Sequence, residues 1–203
     1  RALFASMTDV IIVYDREGRY VRIAPTNPSL LVRPPEEMIG RYISDLLPEE
    51  LHDQFMAAIR EALNHDTVVR IEYPLPINGH MFWFDASVSR LSQDQVFWVA
   101  RDITDRKLAE SKLQESEARF RRIADSAPVM MWVTRLDRTR DFVNDAYMEF
   151  VGVSREEAQK LDWRTRIHPD DVDRIVAESI AGEASLKPFA LEGRYRRADG
   201  EWR

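Results

Sequence analysis

The sequence predicts an α+β fold in duplicate: two domains of one plan, each a five-stranded antiparallel sheet with helices on one face, joined by a helical linker. Three observations lead there. Short apolar runs of strand length recur around one stretch of helical period. The chain matches itself at a shift of about 120 residues. A stretch with neither glycine nor proline lies between the two copies.

The shift places Ser6 on Ser126, Val13 on Val133 and Glu36-Glu37 on Glu156-Glu157. After a slip of one residue, Leu47-Pro48-Glu49-Glu50-Leu51 falls on His168-Pro169-Asp170-Asp171-Val172, Ile59 on Ile180 and Gly79 on Gly200. Scattered coincidences do not keep one register across a domain. The copies are therefore placed at residues 1–104 and 122–203, with a linker over 105–121.

Copy one opens with two β-rich runs, Val10 to Tyr14 and Tyr20 to Ala24, around Arg16-Glu17-Gly18-Arg19, where Gly18 can take the positive φ of a tight hairpin. Pro25, Pro28, Pro34, Pro35, Gly40 and Pro48 then allow only short helical turns such as Glu36 to Ile39. Pro48 suits a helix start, and Glu49-Glu50 complement the positive end of its dipole. Leu51, Phe55, Ala58, Ile59 and Ala62 follow at helical spacing and predict one amphipathic helix. Three runs rich in Val, Phe and Trp close the copy: Thr67 to Tyr73, Met81 to Arg90 and Val96 to Ile103. Asn78-Gly79 between the first two is a hairpin signal.

Composition narrows the function classes. A net charge of −6, with cations interspersed among acids, argues against a nucleic-acid surface. The apolar runs Val10 to Tyr14 and Val129 to Val133 fall far short of the roughly 20 residues of a membrane helix. The absence of cysteine removes disulfides and thiolate metal sites and fits a reducing, cytoplasmic setting. The seven glycines are too scattered to form a phosphate loop. His168-Pro169-Asp170-Asp171 could be drawn as a metal or acid-base cluster, but copy one keeps the proline and both acids without the histidine, as a helix start requires. Glu61-Ala62-Leu63 is assigned to helix packing. No catalytic residue and no metal site are expected.

The order strand-strand-helices-strand-strand-strand in about 100 residues, ending in Arg101-Asp102-Ile103-Thr104-Asp105-Arg106-Lys107, resembles a PAS domain with its terminal Asp-aliphatic-Thr motif. Copy two, with Asp125-Ser126-Ala127-Pro128, Phe142-Val143-Asn144 and His168-Pro169-Asp170-Asp171, resembles the same superfamily. The last two strands of that domain would lie beyond Arg203, so the second domain is expected to continue past this chain, and a chain opening on Arg1 is expected to be a fragment.

The resemblance implies sensory input to bacterial signalling: perception of a small ligand or a redox or gas stimulus, passed to a C-terminal output domain in the same polypeptide, such as a histidine kinase or a diguanylate cyclase. By the same analogy, Phe82, Phe84, Ala86 and Val88, then Val96, Trp98 and Ala100, face the helices, opposed by Phe55 and Ile59, with Tyr42 closing one end. These residues are the candidate ligand pocket, or equally plain core. Asp102 and Thr104 are the candidate signal-coupling pair. No cofactor is required by the residues. Noncovalent flavin is compatible with them, a flavin-thiol adduct is excluded, and a haem would have His65 or His52 as its candidate axial ligand.

Thr104 can cap the linker helix, which is expected over Asp105 to Ala124. Ala109, Leu113, Ser116, Phe120, Ile123 and Ala127 follow the 4-3 spacing of a coiled-coil seam. They serve either a parallel homodimer or packing on the helix's own domain. On the far sheet face Met81, Trp83, Phe97 and Val99 need a cover, a helix or a second subunit. The competing reading is a ligand-free scaffold that sets dimer geometry or holds a partner protein.

Overall fold

The computed structural model describes residues 8–203. Ser6, one of the residues matched across the repeat, lies outside the described residues. The chain divides into two compact units, Arg1–Lys112 and Leu113–Arg203.

The strands of the first unit are β1 (Val10–Asp15), β2 (Tyr20–Ile23), β3 (Val69–Ile77), β4 (His80–Arg90) and β5 (Gln95–Asp102). They form one antiparallel sheet in the order β2-β1-β5-β4-β3. A short 3₁₀ turn at Pro28–Leu30, then α1 (Pro35–Met38), α2 (Ile43–Leu46) and α3 (Glu49–His65), connect β2 to β3. Pro48 sits at the N-cap of α3, and Glu49 and Glu50 fill its first turn. Leu51, Phe55, Ala58, Ile59, Ala62 and Leu63 form its buried stripe. The helix stops where Asp66 turns left-handed, at φ 50°.

Two turns carry the positive φ that their sequences require. Gly18 has φ 80°, and a Cβ there would lie 2.6 Å from Met56 Sδ, so only glycine fits. Asn78 and Gly79 are both left-handed, at φ 51° and 82°, as a two-residue type I′ hairpin demands.

The third strand departs from expectation. The run is expected over Thr67 to Tyr73, yet β3 continues through Pro74 and Pro76 and stays paired with β4 as far as Ile77↔His80. The reason is its place at the sheet edge, with β4 as its one neighbour. Prolines two residues apart put both missing N–H groups on the same open side, where the ladder has nothing to lose.

The linker is one helix, α4 (Thr104–Ser126), and the boundary between the units falls inside it. The second unit comprises β6 (Trp132–Thr134), β7 (Arg140–Val143), α5 (Asp145–Val151), α6 (Arg155–Lys160), a 3₁₀ turn at Trp163–Arg166 and α7 (Val172–Ser185).

The repeat is visible in the pairing itself. Ile12↔Ile23, Val13↔Arg22 and Tyr14↔Tyr20 in the first unit become Trp132↔Val143, Val133↔Phe142 and Thr134↔Arg140 in the second. Even the bulge recurs, between Val13 and Tyr14 and between Val133 and Thr134. Helix α7 begins at Val172 with Asp171 at its N-cap, so Pro169 and Asp170 precede the helix, whereas Pro48 and Glu49 sit directly at the start of α3.

The second sheet differs from the first in having two strands. The run before Gly200 makes only isolated bridges, Ile167↔Tyr195 and Arg196↔Trp202. In the first unit the equivalent strand, β3, is held by β4 alone, and the described residues of the second unit contain no counterpart of β4.

Candidate functional site

In the first unit the sheet alternation brings Phe84, Ala86, Val88, Val96, Trp98 and Ala100 to one face, where Phe55 and Ile59 from α3 meet them in a single buried cluster. Phe82 packs at its margin. The Trp98 ring stacks on Phe55 with centroids 4.4 Å apart and meets the Tyr14 edge at 5.5 Å. Its indole N–H donates to the Tyr73 hydroxyl at 3.4 Å. Burial pushes the Tyr20 hydroxyl up to about 12 and raises those of Tyr14 and Tyr73 well above their ordinary value, so these phenols stay neutral.

The space left among these side chains is about 30 Å³, bordered by Phe55, Tyr73 and Phe84 among others. That is room for about one water molecule. His65 is exposed at the end of α3. His52 has its Nε2 2.8 Å from the Leu47 carbonyl. Neither borders the space. Tyr42 also stands apart: it is 37% exposed and its hydroxyl accepts from Arg19, whose guanidinium lies over the ring.

The sheet-to-helix junction is built from Asp102 and Thr104. The Asp102 carboxylate accepts from the Thr104 backbone N–H at 2.8 Å and from its hydroxyl at 2.5 Å. The same Thr104 oxygen accepts the Trp83 backbone N–H of β4 at 2.9 Å. One hydroxyl thus ties the first residue of α4 to the sheet, and Ile103, buried between them, adds an apolar anchor. On the next turn Arg106 and Lys107 grip Glu72 of β3 at 2.7 and 2.6 Å.

Hydrogen bonds from Lys107, then Arg106, hold the Glu72 carboxyl below its ordinary value of 4.5. A depressed carboxylate contributes above its unfolded pKa and loses that contribution as pH falls through the folded one. Protection factors for amide exchange at Asp105, Arg106 and Lys107, taken against the intrinsic rate at each pH, are therefore expected to fall as the pH drops below the ordinary value of 4.5, and more so in high salt. Glu72→Gln should abolish that pH dependence.

On the far face of the first sheet, Ile11 and Val13 are buried, Trp83, Phe97 and Val99 are half-buried and Met81 is 55% exposed. Lys107 Nζ lies 5.2 Å from the Trp83 ring centroid, so part of this face is covered by the start of α4. Along α4 the seam positions Ala109, Leu113, Ser116, Phe120 and Ile123 are all exposed, Leu113 at 62% and Ile123 at 60%. Phe120 also meets Phe142 at 5.2 Å.

The C-terminal end of α4 is fastened within the second unit by Asn144, which is fully buried. Its amide donates to the Ala124 carbonyl at 2.8 Å and to the Val129 carbonyl at 2.9 Å. Its side-chain oxygen accepts from the Met131 and Tyr147 backbone N–H groups at 2.8 and 3.1 Å. Arg155 adds ion pairs to Asp125 at 3.4 Å and Asp145 at 2.9 Å.

A larger space, about 350 Å³, lies in the second unit. Met130, Trp132, Tyr147, Ile167, Ile175, Leu191 and Tyr195 supply most of its wall, and Arg140 at the head of β7 projects into it. Arg140 is 8% exposed and donates to the Tyr147 hydroxyl and, at 3.3 Å, to the Tyr195 hydroxyl. Burial, then the neighbouring Tyr195, raise the Tyr147 hydroxyl far above its ordinary value. Sequence reading passed over this cavity. The signal was available in the repeat, since Arg140 occupies the place of Tyr20, a core residue of copy one.

His168, Asp170 and Asp171 serve the fold here. The Asp171 carboxylate takes two bonds from the Arg194 guanidinium, at 2.9 and 3.1 Å, which hold it far below the usual carboxylate range, and His168 packs its ring on Trp202 at 4.8 Å. Among the described residues no group of three His, Cys, Asp or Glu could hold a metal ion, and no helix is long and apolar enough to cross a membrane.

A PAS fold family model matches residues 4–108 and a second PAS fold model matches residues 140–203. The chain is 27% identical over 192 residues to the uncharacterized protein y4lL of Sinorhizobium fredii, covering 92% of this chain and 23% of that protein. It is 30% identical over 109 residues to the two-component sensor PprA of Pseudomonas aeruginosa, covering 51% and 11%. It is 26% identical over 121 residues to the peroxide stress-activated histidine kinase mak1 of Schizosaccharomyces pombe, covering 53% and 7%. The chain thus spans less than a quarter of the length of each of these relatives. With the sheet order, the duplicated hairpin and the Asp102-Ile103-Thr104 junction in place, these matches establish that the chain belongs to the PAS fold family, as a sensory segment of two PAS domains in tandem.

Proposed function

We propose that this segment is the input and relay module of a sensor histidine kinase, in which a stimulus changes the grip of a PAS sheet on helix α4 and the helix carries that change towards an output domain in the same polypeptide. The observation that supports the reading most directly is the Asp102 and Thr104 junction. The Asp102 carboxylate accepts the first N–H of the helix, and the Thr104 hydroxyl bonded to that carboxylate also holds the backbone of β4, so a shift in the sheet and a shift in the helix start are one event. Two relatives named as a two-component sensor and a histidine kinase favour the kinase as output over a cyclase. The exposed seam of α4 suits a parallel homodimer, in which Leu113 and Ile123 would be buried against their counterparts.

The decisive experiment places the tandem in front of a histidine kinase catalytic region and measures autophosphorylation. Thr104→Ala is expected to cost only about 1 kcal/mol of stability, the net value of a hydrogen bond lost at a partly exposed site, while shifting output several-fold. Unchanged output in a folded Thr104→Ala protein would remove the junction from the relay. A strictly monomeric tandem in analytical ultracentrifugation would remove the dimer.

A second reading applies to the first domain alone. Its filled core, with about 30 Å³ of free space, favours a domain that transmits or scaffolds without a ligand of its own.

A further inference from the structure

We infer that Pro74 and Pro76 close the β3 edge of the first domain's sheet against the same strand of a second copy, so that copies of this chain do not join edge to edge into one shared sheet. This goes beyond the relay reading and does not depend on it.

Strand β3 is nine residues long and has β4 as its one neighbour in the sheet. An edge of that length is a template for a further strand, and an antiparallel copy of itself fits it by two-fold symmetry. The hairpin fixes which backbone groups face outward. The two-residue turn at Asn78-Gly79 makes Ile77 and His80 a pair that exchanges both hydrogen bonds. The odd residues from Val69 to Ile77 therefore bond β4, and Arg70, Glu72, Pro74 and Pro76 face the open side. Pro74 and Pro76 have no N–H to offer there. The Glu72 carbonyl is taken by the side-chain amide of Gln54 at 3.3 Å. Among the described residues, Arg70 alone keeps both backbone groups free along this edge.

The opposite edge of the sheet is covered by the chain itself. The Tyr20 N–H donates to the Arg41 carbonyl at 2.9 Å, and the Tyr20 carbonyl accepts from the Gly40 N–H at 2.8 Å. Along its second half β3 has no such partner among the described residues. Its inward side chains there, Tyr73, Leu75 and Ile77, are buried, and a run of that composition with its donors intact pairs readily with its own kind. Prolines at 74 and 76 leave this inner face and the ladder to β4 untouched and remove outward N–H groups alone. A chain that associates elsewhere on its surface meets its own copy at a raised effective concentration, where an unblocked edge would pair more readily still.

The test compares the full chain with its Pro74→Thr/Pro76→Thr variant, which restores both N–H groups without adding an apolar surface. In sedimentation at rising concentration the variant is expected to reach about twice the mass of the unaltered chain, or more, as edge pairs form. Amide exchange should slow at Arg70, Glu72 and both substituted positions as that mass appears. Association through α4 protects none of these amides, so a dimer made by the helix is told apart. Pro76→Thr alone, at an exposed position beside the turn, should show the same signs more weakly. It decides the matter if circular dichroism shows that the double variant does not fold. A folded variant with the mass of the unaltered chain would overturn the assignment and leave the prolines as stiffeners of the strand. Added mass without slower exchange at Arg70 and Glu72 would overturn it too, as would protection of those amides rising with concentration in the unaltered chain.

Discussion

A Trp98→Ala chain is expected to lose about 4 kcal/mol of stability in its first domain, the scale of deleting a large aromatic side chain from a packed core. Trp98 is 1% exposed, stacks on Phe55 and meets Tyr14 edge-on, so its removal empties the centre of the cluster. It also leaves the buried Tyr73 hydroxyl without its donor. Urea unfolding followed domain by domain, by amide exchange, should show the first domain's transition moving to lower denaturant while the second domain's stays. Phe97→Ala, one residue away on the opposite sheet face, is the control, with a loss of about 1 kcal/mol for a half-buried ring. Equal losses from the two substitutions would mean that the aromatic cluster does not dominate the core.

The second large effect belongs to Asn144. Replacing it with alanine is expected to cost about 3 kcal/mol, because two carbonyls and two N–H groups lose a partner around a site with no access to solvent. For a unit of this size that corresponds to a fall of about 10 °C or more in Tm. Exchange protection should fall first at the end of α4, since the Ala124 carbonyl is one of the groups released. Asn144→Asp separates hydrogen bonding from shape. It keeps the acceptor for Met131 and Tyr147 but loses the donor to Ala124 and Val129, and so should also be destabilising. An unchanged Tm in both variants would show that the clamp contributes nothing.

Together these results bear on the relay. Helix α4 is held at its start by Thr104 and Glu72 within the first unit and at its end by Asn144 and Asp125 within the second. Weakening either attachment should alter output without touching the exposed seam residues between them.

What the sequence determined by itself is local. Asn78-Gly79 and Gly18 specify their turns because positive φ is a property of single residues, and the spacing of Leu51, Phe55, Ile59 and Ala62 specifies the face of α3 because side-chain direction follows helical period. The 120-residue repeat was equally legible, and the structure adds a bulge that recurs in the same place. The tertiary structure decided what depends on neighbours far along the chain. Pro74 and Pro76 are tolerated in β3 because the assembled sheet puts that strand at an edge, which no local pattern states. The filled core of the first unit depends on β4 and β5, which bring Phe84, Val88 and Trp98 onto the helices, and the described residues of the second unit contain no counterpart of either strand. A buried arginine cannot be told from an exposed one by its own spacing, and Arg140 is buried by elements as distant as Tyr195, 55 residues on. Its charge is written in the sequence, and its burial beside the Tyr147 and Tyr195 hydroxyls exists only in the fold.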